Sequence, residues 1–292
     1  MNITTITPAT ITPATITPAT ITSALSANPT ARSISGRSPL GRDVRAAIRS
    51  EWIKVRSVRA TPIFVGLTAV IGVGMALILG KVVKTDPYEH LPFTVGNTFL
   101  VSSWLTTLFA VVAGTLLFTS EVQHGTLAGA LTARPSKSII IGAKAIIAAV
   151  LGFAMGALGI VGGLVGGVAS GMDTGDMSGA AAGVAWALVL TTLASVLGLG
   201  VGLIVRHSAA AVTSVLVWAL AVETLVRGMV PASVSRLLPF TAAHGLLGTR
   251  SAADTPETLA AALSSAGNAA VIGCWAVAAV AIGTALLNRR DS

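Results

Sequence analysis

The run IIIGAKAIIAAVLGFAMGALGIVGGLVGGVA, residues 139–169, decides the fold. Lys144 is its only charged residue. A helix rises about 1.5 Å per residue and a bilayer core is roughly 30 Å thick. This run is longer than one crossing needs, so it must tilt, break or begin outside the membrane. Five further apolar stretches flank it, at residues 62–80, 94–118, 179–205, 209–230 and 269–288. Segments such as Ile139 to Gly142 and Val215 to Trp218 do not alternate between apolar and polar, as the strands of a membrane barrel would. The expected fold class is therefore all-α: a polytopic membrane protein with six transmembrane helices.

Composition agrees. The chain is 53% hydrophobic and 10% charged, with mean hydropathy +0.83, whereas soluble domains average about 25% charged residues. Nineteen Lys and Arg residues set the orientation. Five of them, Lys81, Lys84, Arg227, Arg236 and Arg250, fall on one side of the spans. The rest fall on the other, most densely between Arg32 and Arg59. The positive-inside rule puts that side, with both termini, in the cytoplasm of a multi-pass cell-membrane protein. An even number of spans requires the same. The formal charge of +8 is then a membrane-border feature, and nucleic-acid binding is disfavoured because the basic residues lack interleaved aromatics.

The segment ITPAT recurs at residues 6–10, 11–15 and 16–20. Thr and Pro at this density cannot bury a core, so residues 1–40 are expected to be a disordered cytoplasmic tail. No continuous apolar run marks a secretory signal there. From Asp43 to Val58, Val44, Ala47, Ile48, Trp52, Val55 and Val58 share one helical face, beside Arg45, Arg49 and Arg56. This reads as an amphipathic helix along the headgroups with Trp52 at the interface. Glu51 falls inside the apolar stripe. It either pairs with Lys54 or reaches another subunit or the loop after span two.

That loop begins Ser120-Glu121-Val122-Gln123-His124-Gly125-Thr126-Leu127 and runs to Arg134-Pro135. Ser120 and Gln123 have the spacing of a capping box that would start a short helix; alternatively Gly125 breaks the extension of span two. Leu127 and Leu131, four apart, give a small apolar face that looks built to dock.

At these residues the chain resembles the permease subunits of ABC-2-type exporters. The family's basic Ser-Glu-x-x-Lys-x-Arg-Ser pattern is matched by Ser50-Glu51-Trp52-Ile53-Lys54-Val55-Arg56-Ser57. Its Glu-x-x-x-Gly-Thr is matched by Glu121, Gly125 and Thr126, and the following Arg-Pro and Lys by Arg134, Pro135 and Lys144. The resemblance covers about residues 43–290 and implies a permease domain over 41–292. It further implies two permease subunits, as a homodimer or heterodimer, lining a path driven by two cytoplasmic ATP-binding subunits. Residues 43–58, with Glu51, Trp52, Lys54 and Arg56, would be the elbow helix. The segment near 121–135, with Glu121, His124, Gly125, Thr126, Leu127, Leu131 and Arg134, would be the coupling helix. No G-x-x-x-x-G-K-[ST] phosphate loop occurs in the chain, so ATP hydrolysis is expected on the partner and no cofactor is expected on this chain.

Several features fit a moving bundle. Gly152, Gly156, Gly159, Gly163 and Gly167 form a small-residue groove, joined by Gly198 and Gly202 in span four. Close packing within the chain is the expected use, a dimer seam or gate the alternative. Glu223 and Arg227 have the i,i+4 spacing of a helical ion pair near the outer end of span five; they are also candidate path or gate residues, because charges at membrane depth are costly. Ser102, Ser103, Thr106 and Thr107 either line a path or bond their own helix. Thr255 caps a short helix with Pro256 in its first turn, and Leu237 to Phe240 are apolar enough to re-enter the outer leaflet. Cys274 is expected to be a small buried apolar residue; no cysteine pair or metal-ligand spacing exists.

Two other classes are disfavoured. An intramembrane protease would need a motif such as H-E-x-x-H, and the four His lie outside the spans or at their ends. An ATP-independent secondary transporter would want buried carboxylates and an internal repeat; the cores of spans one to four and six hold no acid. A membrane scaffold or sensor is the remaining alternative. A path of small and apolar residues suits amphiphilic drugs, lipids or peptides.

Overall fold

A computed structural model describes residues 40–57, 60–85, 94–125, 137–249 and 254–290. Residues 1–39 and 126–136, and with them the expected Thr/Pro tail and Thr126, Leu127, Leu131 and Arg134, lie outside the described residues. Among those described, every regular element is helical: α1 (Leu40–Ser57), α2 (Ala60–Thr85), α3 (Val95–Gln123), α4 (Lys137–Ala169), α5 (Ala180–Val205), α6 (Ser208–Val217), a π-helical turn (Trp218–Val222), α7 (Glu223–Met229), α8 (Ala232–Ser235), α9 (Pro239–Leu247), α10 (Pro256–Ala260) and α11 (Ser265–Arg290).

Six helices are long and apolar enough to cross a membrane, at Thr61–Val82, Thr98–Gln123, Lys137–Ala169, Ala180–Val205, Ser208–Met229 and Ser265–Arg289. The fifth is α6, the π turn and α7 in continuous succession. The long third stretch does not break. It is one helix of 33 residues, about 50 Å at the α-helical rise.

The spans divide into two sets. Over an 18-residue stretch of each span, 50–56% of residues are buried in spans two, three and four, against 22–28% in spans one, five and six. The glycines explain how the middle set comes so close. A Cβ on Gly114 would run into the Ser195 carbonyl, one on Gly198 into the Val111 carbonyl, and one on Gly152 into the Thr191 carbonyl. Gly156 meets the Thr191 side chain, and Gly159 and Gly163 meet Thr106 and Ser102. The glycine groove is thus filled from within the chain, by α3 and α5. Small residues let helix backbones approach in this way, and dispersion contacts hold them.

The hydroxyls between these helices turn inward on their own backbone. Ser102 and Ser103 donate to the Phe99 carbonyl, Thr106 to that of Ser102 and Thr107 to that of Ser103. All four residues are buried, so they do not line an open path in this structure.

The ends of the helices alternate. The amides of Val95 and Gly96 donate to the carbonyls of Asp173 and Thr174 (2.9 and 3.2 Å), joining the start of span two to the loop after span three. The end of span two meets the start of span five, where the Ser208 hydroxyl lies 2.7 Å from Gln123 Oε1 and 3.0 Å from the Thr119 hydroxyl. Cys274 departs from expectation: it is exposed, because α11 buries only a stripe around Ile272, Ala276 and Ala279 and turns its other faces outward.

Candidate functional site

α1 carries Asp43 in its first turn and Lys54 and Arg56 in its last, the polarity that a helix macrodipole favours. Its buried residues are Ala47, Glu51 and Val55, spaced four apart. The buried face lies within the expected apolar stripe, while Trp52, expected at the interface, and the neighbouring Ile53 are exposed. Within that face Glu51 turns toward a buried cation.

That cation is Lys144 on α4, 1% exposed. Its Nζ lies 2.6 Å from Glu51 Oε2 and 2.6 Å from Glu121 Oε1, near the end of α3. Lys54 closes the cluster, 2.7 Å from Glu51 Oε1 and 3.1 Å from Glu121 Oε1. Two carboxylates and two ammonium groups make a neutral quartet drawn from three helices. An isolated buried charge would be very costly, so mutual pairing is the condition for burying any of them. Burial alone lowers the Lys54 pKa and is the largest single influence, but its bonds to Glu51 and the charges of Glu121 and Glu51 together shift it upward, so it stays cationic.

The quartet stands at the mouth of the segment expected to couple. Glu121 lies in the last turn of α3, and the helix ends at Gln123. Ser120 caps nothing. Its hydroxyl donates to the Leu116 carbonyl one turn back (2.6 Å), so the capping-box reading fails. Gly125 ends the extension instead, with φ of 68°, a conformation glycine adopts without a Cβ clash. His124 is exposed, its Nδ1 2.7 Å from the Ser120 carbonyl. Arg56 is exposed at the end of α1.

At the opposite end of the bundle, Glu223 and Arg227 do not pair with each other. Arg227 pairs with Asp254. Glu223, 2% exposed, accepts from the indole N–H of Trp218 (3.2 Å), the amide of Phe240 (3.1 Å), the hydroxyl of Thr241 (2.8 Å) and the amide of Thr241. Three of those donors belong to the first turn of α9. The residue at the N-cap position of α9 is Leu238, which has no side-chain oxygen to accept them. The carboxylate of another helix supplies the cap. Thr255 caps α10 as expected, in a reciprocal pair with Thr258.

The geometry thus defines a polytopic helical membrane protein in which the motif residues Glu51, Lys54, Glu121 and Lys144 converge at one end. The family described as ABC-2 family transporter protein matches residues 47–232, more than half of the chain, and the chain belongs to that family. The match includes the whole quartet, Glu223 and Arg227, and stops before α9 and the sixth span. No curated protein is a significant match.

Sequence reasoning expected Glu51 to pair with Lys54, as it does, and named Glu121 and Lys144 as motif residues, but did not foresee that Lys144 binds both carboxylates. A signal was present, in an acid inside the apolar stripe of α1 and a lysine inside an apolar run. Thr241, which bonds Glu223, Asp254, which pairs with Arg227, and Trp104 and His244, which stack, carried no recognisable spacing.

Proposed function

We propose that this chain is the membrane-spanning permease subunit of an ATP-driven exporter. It forms the substrate path with a second permease subunit and takes its energy from a separate cytoplasmic ATP-binding subunit. Both termini face the cytoplasm of the cell membrane, and α1 acts as the elbow helix. The segment near 121–135, entered through Glu121, His124 and Gly125, seats in the ATPase.

The quartet supports this reading most directly. Force delivered to the 121–135 segment must reach the spans through its two roots, the end of α3 and the start of α4. Glu121 and Lys144 tie those roots together and to Glu51 on α1 (2.6 Å each). Charge-assisted bonds are short and directional, so the three helices move as one base.

The test is nucleotide turnover. The chain purified alone is expected to hydrolyse no ATP, and turnover is expected to appear only with a copurified second subunit carrying a phosphate loop. ATP hydrolysis by the isolated chain would overturn the proposal.

A further inference from the structure

α9 touches span two through Trp104, which Phe240 meets edge-on (6.1 Å between ring centres, 89°) and His244 stacks against (3.8 Å). Its Ala242, Ala243, Leu246 and Leu247 are buried with Phe99, Leu190 and Ile272 of spans two, four and six. Apolar contacts of this kind are non-directional. The attachment to span five differs in kind. There a carboxylate receives the free N–H groups of the α9 first turn, bonds that are directional and charge-assisted.

The backbone beneath that carboxylate is unusual too. The π-helical turn Trp218–Val222 ends at Glu223, and such turns are rare, short insertions in α-helices that recur at functional sites. Trp218, at the start of the turn, donates its indole N–H to Glu223. Relaxing the π turn to α-helix would rotate Glu223 by about 100°, one residue's worth of helix, and withdraw the carboxylate from α9.

We propose that Glu223 is a positioning residue for outward release: its carboxylate fastens α9 to span five, so that movement of span five moves α9. This rests on the permease reading above. It replaces the ion pair with Arg227 that the spacing suggested, and it assigns Glu223 a role that needs no contact with substrate.

The experiment uses the full chain in its native cells, with Cys274→Ala removing the natural thiol and Leu237→Cys reporting on the exposed turn before α9. A membrane-impermeant maleimide is added to energised and to ATP-depleted cells. In this background the labelling rates are expected to differ between the two conditions. Glu223→Ala is expected to abolish the difference, and Glu223→Gln, which keeps one oxygen acceptor, to reduce it. An undiminished difference in Glu223→Gln or Glu223→Ala overturns the role of Glu223 and leaves the permease reading standing. Equal rates in the background chain itself overturn the ATP-driven reading and this proposal with it. The Gln variant preserves shape and volume, so the test survives if the Ala variant fails to fold.

Discussion

The two ends of the bundle bury acid in different ways. At the basic end, Glu51 and Glu121 are neutralised by Lys54 and Lys144, and the cost of burial is met by opposite charge. At the other end Glu223 meets no cation among the described residues, and helix N–H groups, a hydroxyl and an indole take up its oxygens. The first arrangement joins three long helices into one body. The second fastens a nine-residue helix to a single span. One end is a base of three helices locked by charge; at the other, a carboxylate adds a directional tie to a short helix that also packs on spans two, four and six.

The comparison breaks most sharply at Lys144. Replacing it with Met leaves two carboxylates at a buried site with only half-exposed Lys54 between them. Breaking a buried pair from one side costs about 3–5 kcal/mol, so Lys144→Met is expected to show a large fall in the melting temperature of the purified full chain, or its loss from the membrane. Adding Glu51→Gln should recover part of that loss. At the opposite end, Glu223→Ala strands the α9 amides, a loss of about 1–3 kcal/mol. Hydrogen exchange should then quicken at Phe240 and Thr241 while α3 and α4 stay protected. Lys54→Ala should cost less than either. Its side chain is 40% exposed, and exposed pairs contribute about 0–1 kcal/mol. A Lys54 effect equal to that of Lys144 would show that the quartet is not organised around the buried cation.

The smallest effect is a pH dependence confined to the end of the bundle opposite the quartet. Burial, with Arg227 nearby, lowers the His244 pKa from 6.5 to about 4, and Asp254 opposes the shift only partly. The unfolded form takes up its proton first as pH falls. The His244 contribution to stability is therefore fully present above about pH 6.5 and is lost as pH falls toward 4. Exchange protection of α9 should decline over that window in the parent chain, and the slope should flatten in His244→Gln, with no change at the quartet.

Much of the fold was legible because lipid imposes so strict a rule. Residues 139–169 could be little other than a helix, and all six spans formed within a few residues of where hydropathy put them. The Gly152 to Gly167 groove was legible as a packing surface, though not which helix would fill which part of it. What escaped was which polar side chains would meet across different helices. The apolar stripe of α1 showed Glu51 set among apolar residues with Lys54 beside it, but not that Lys144, on another helix, would bind Glu51 and Glu121 together. Glu223 and Arg227 have ideal spacing for an ion pair on a regular helix, yet the π turn before Glu223 and the free N–H groups of α9 offered better partners. Neither the turn nor those donors leaves a mark in the local sequence.

The account stands or falls on whether the quartet carries the connection to an ATP-binding subunit. The direct measurement is the amount of that subunit recovered when the full chain is purified from native membranes with the quartet intact, broken by Lys144→Glu, or reversed by Lys144→Glu together with Glu51→Lys. The expected result is recovery with the intact chain, loss in the single variant and partial return in the reversed pair. Equal recovery from all three, with the single variant folded and in the membrane, would contradict it.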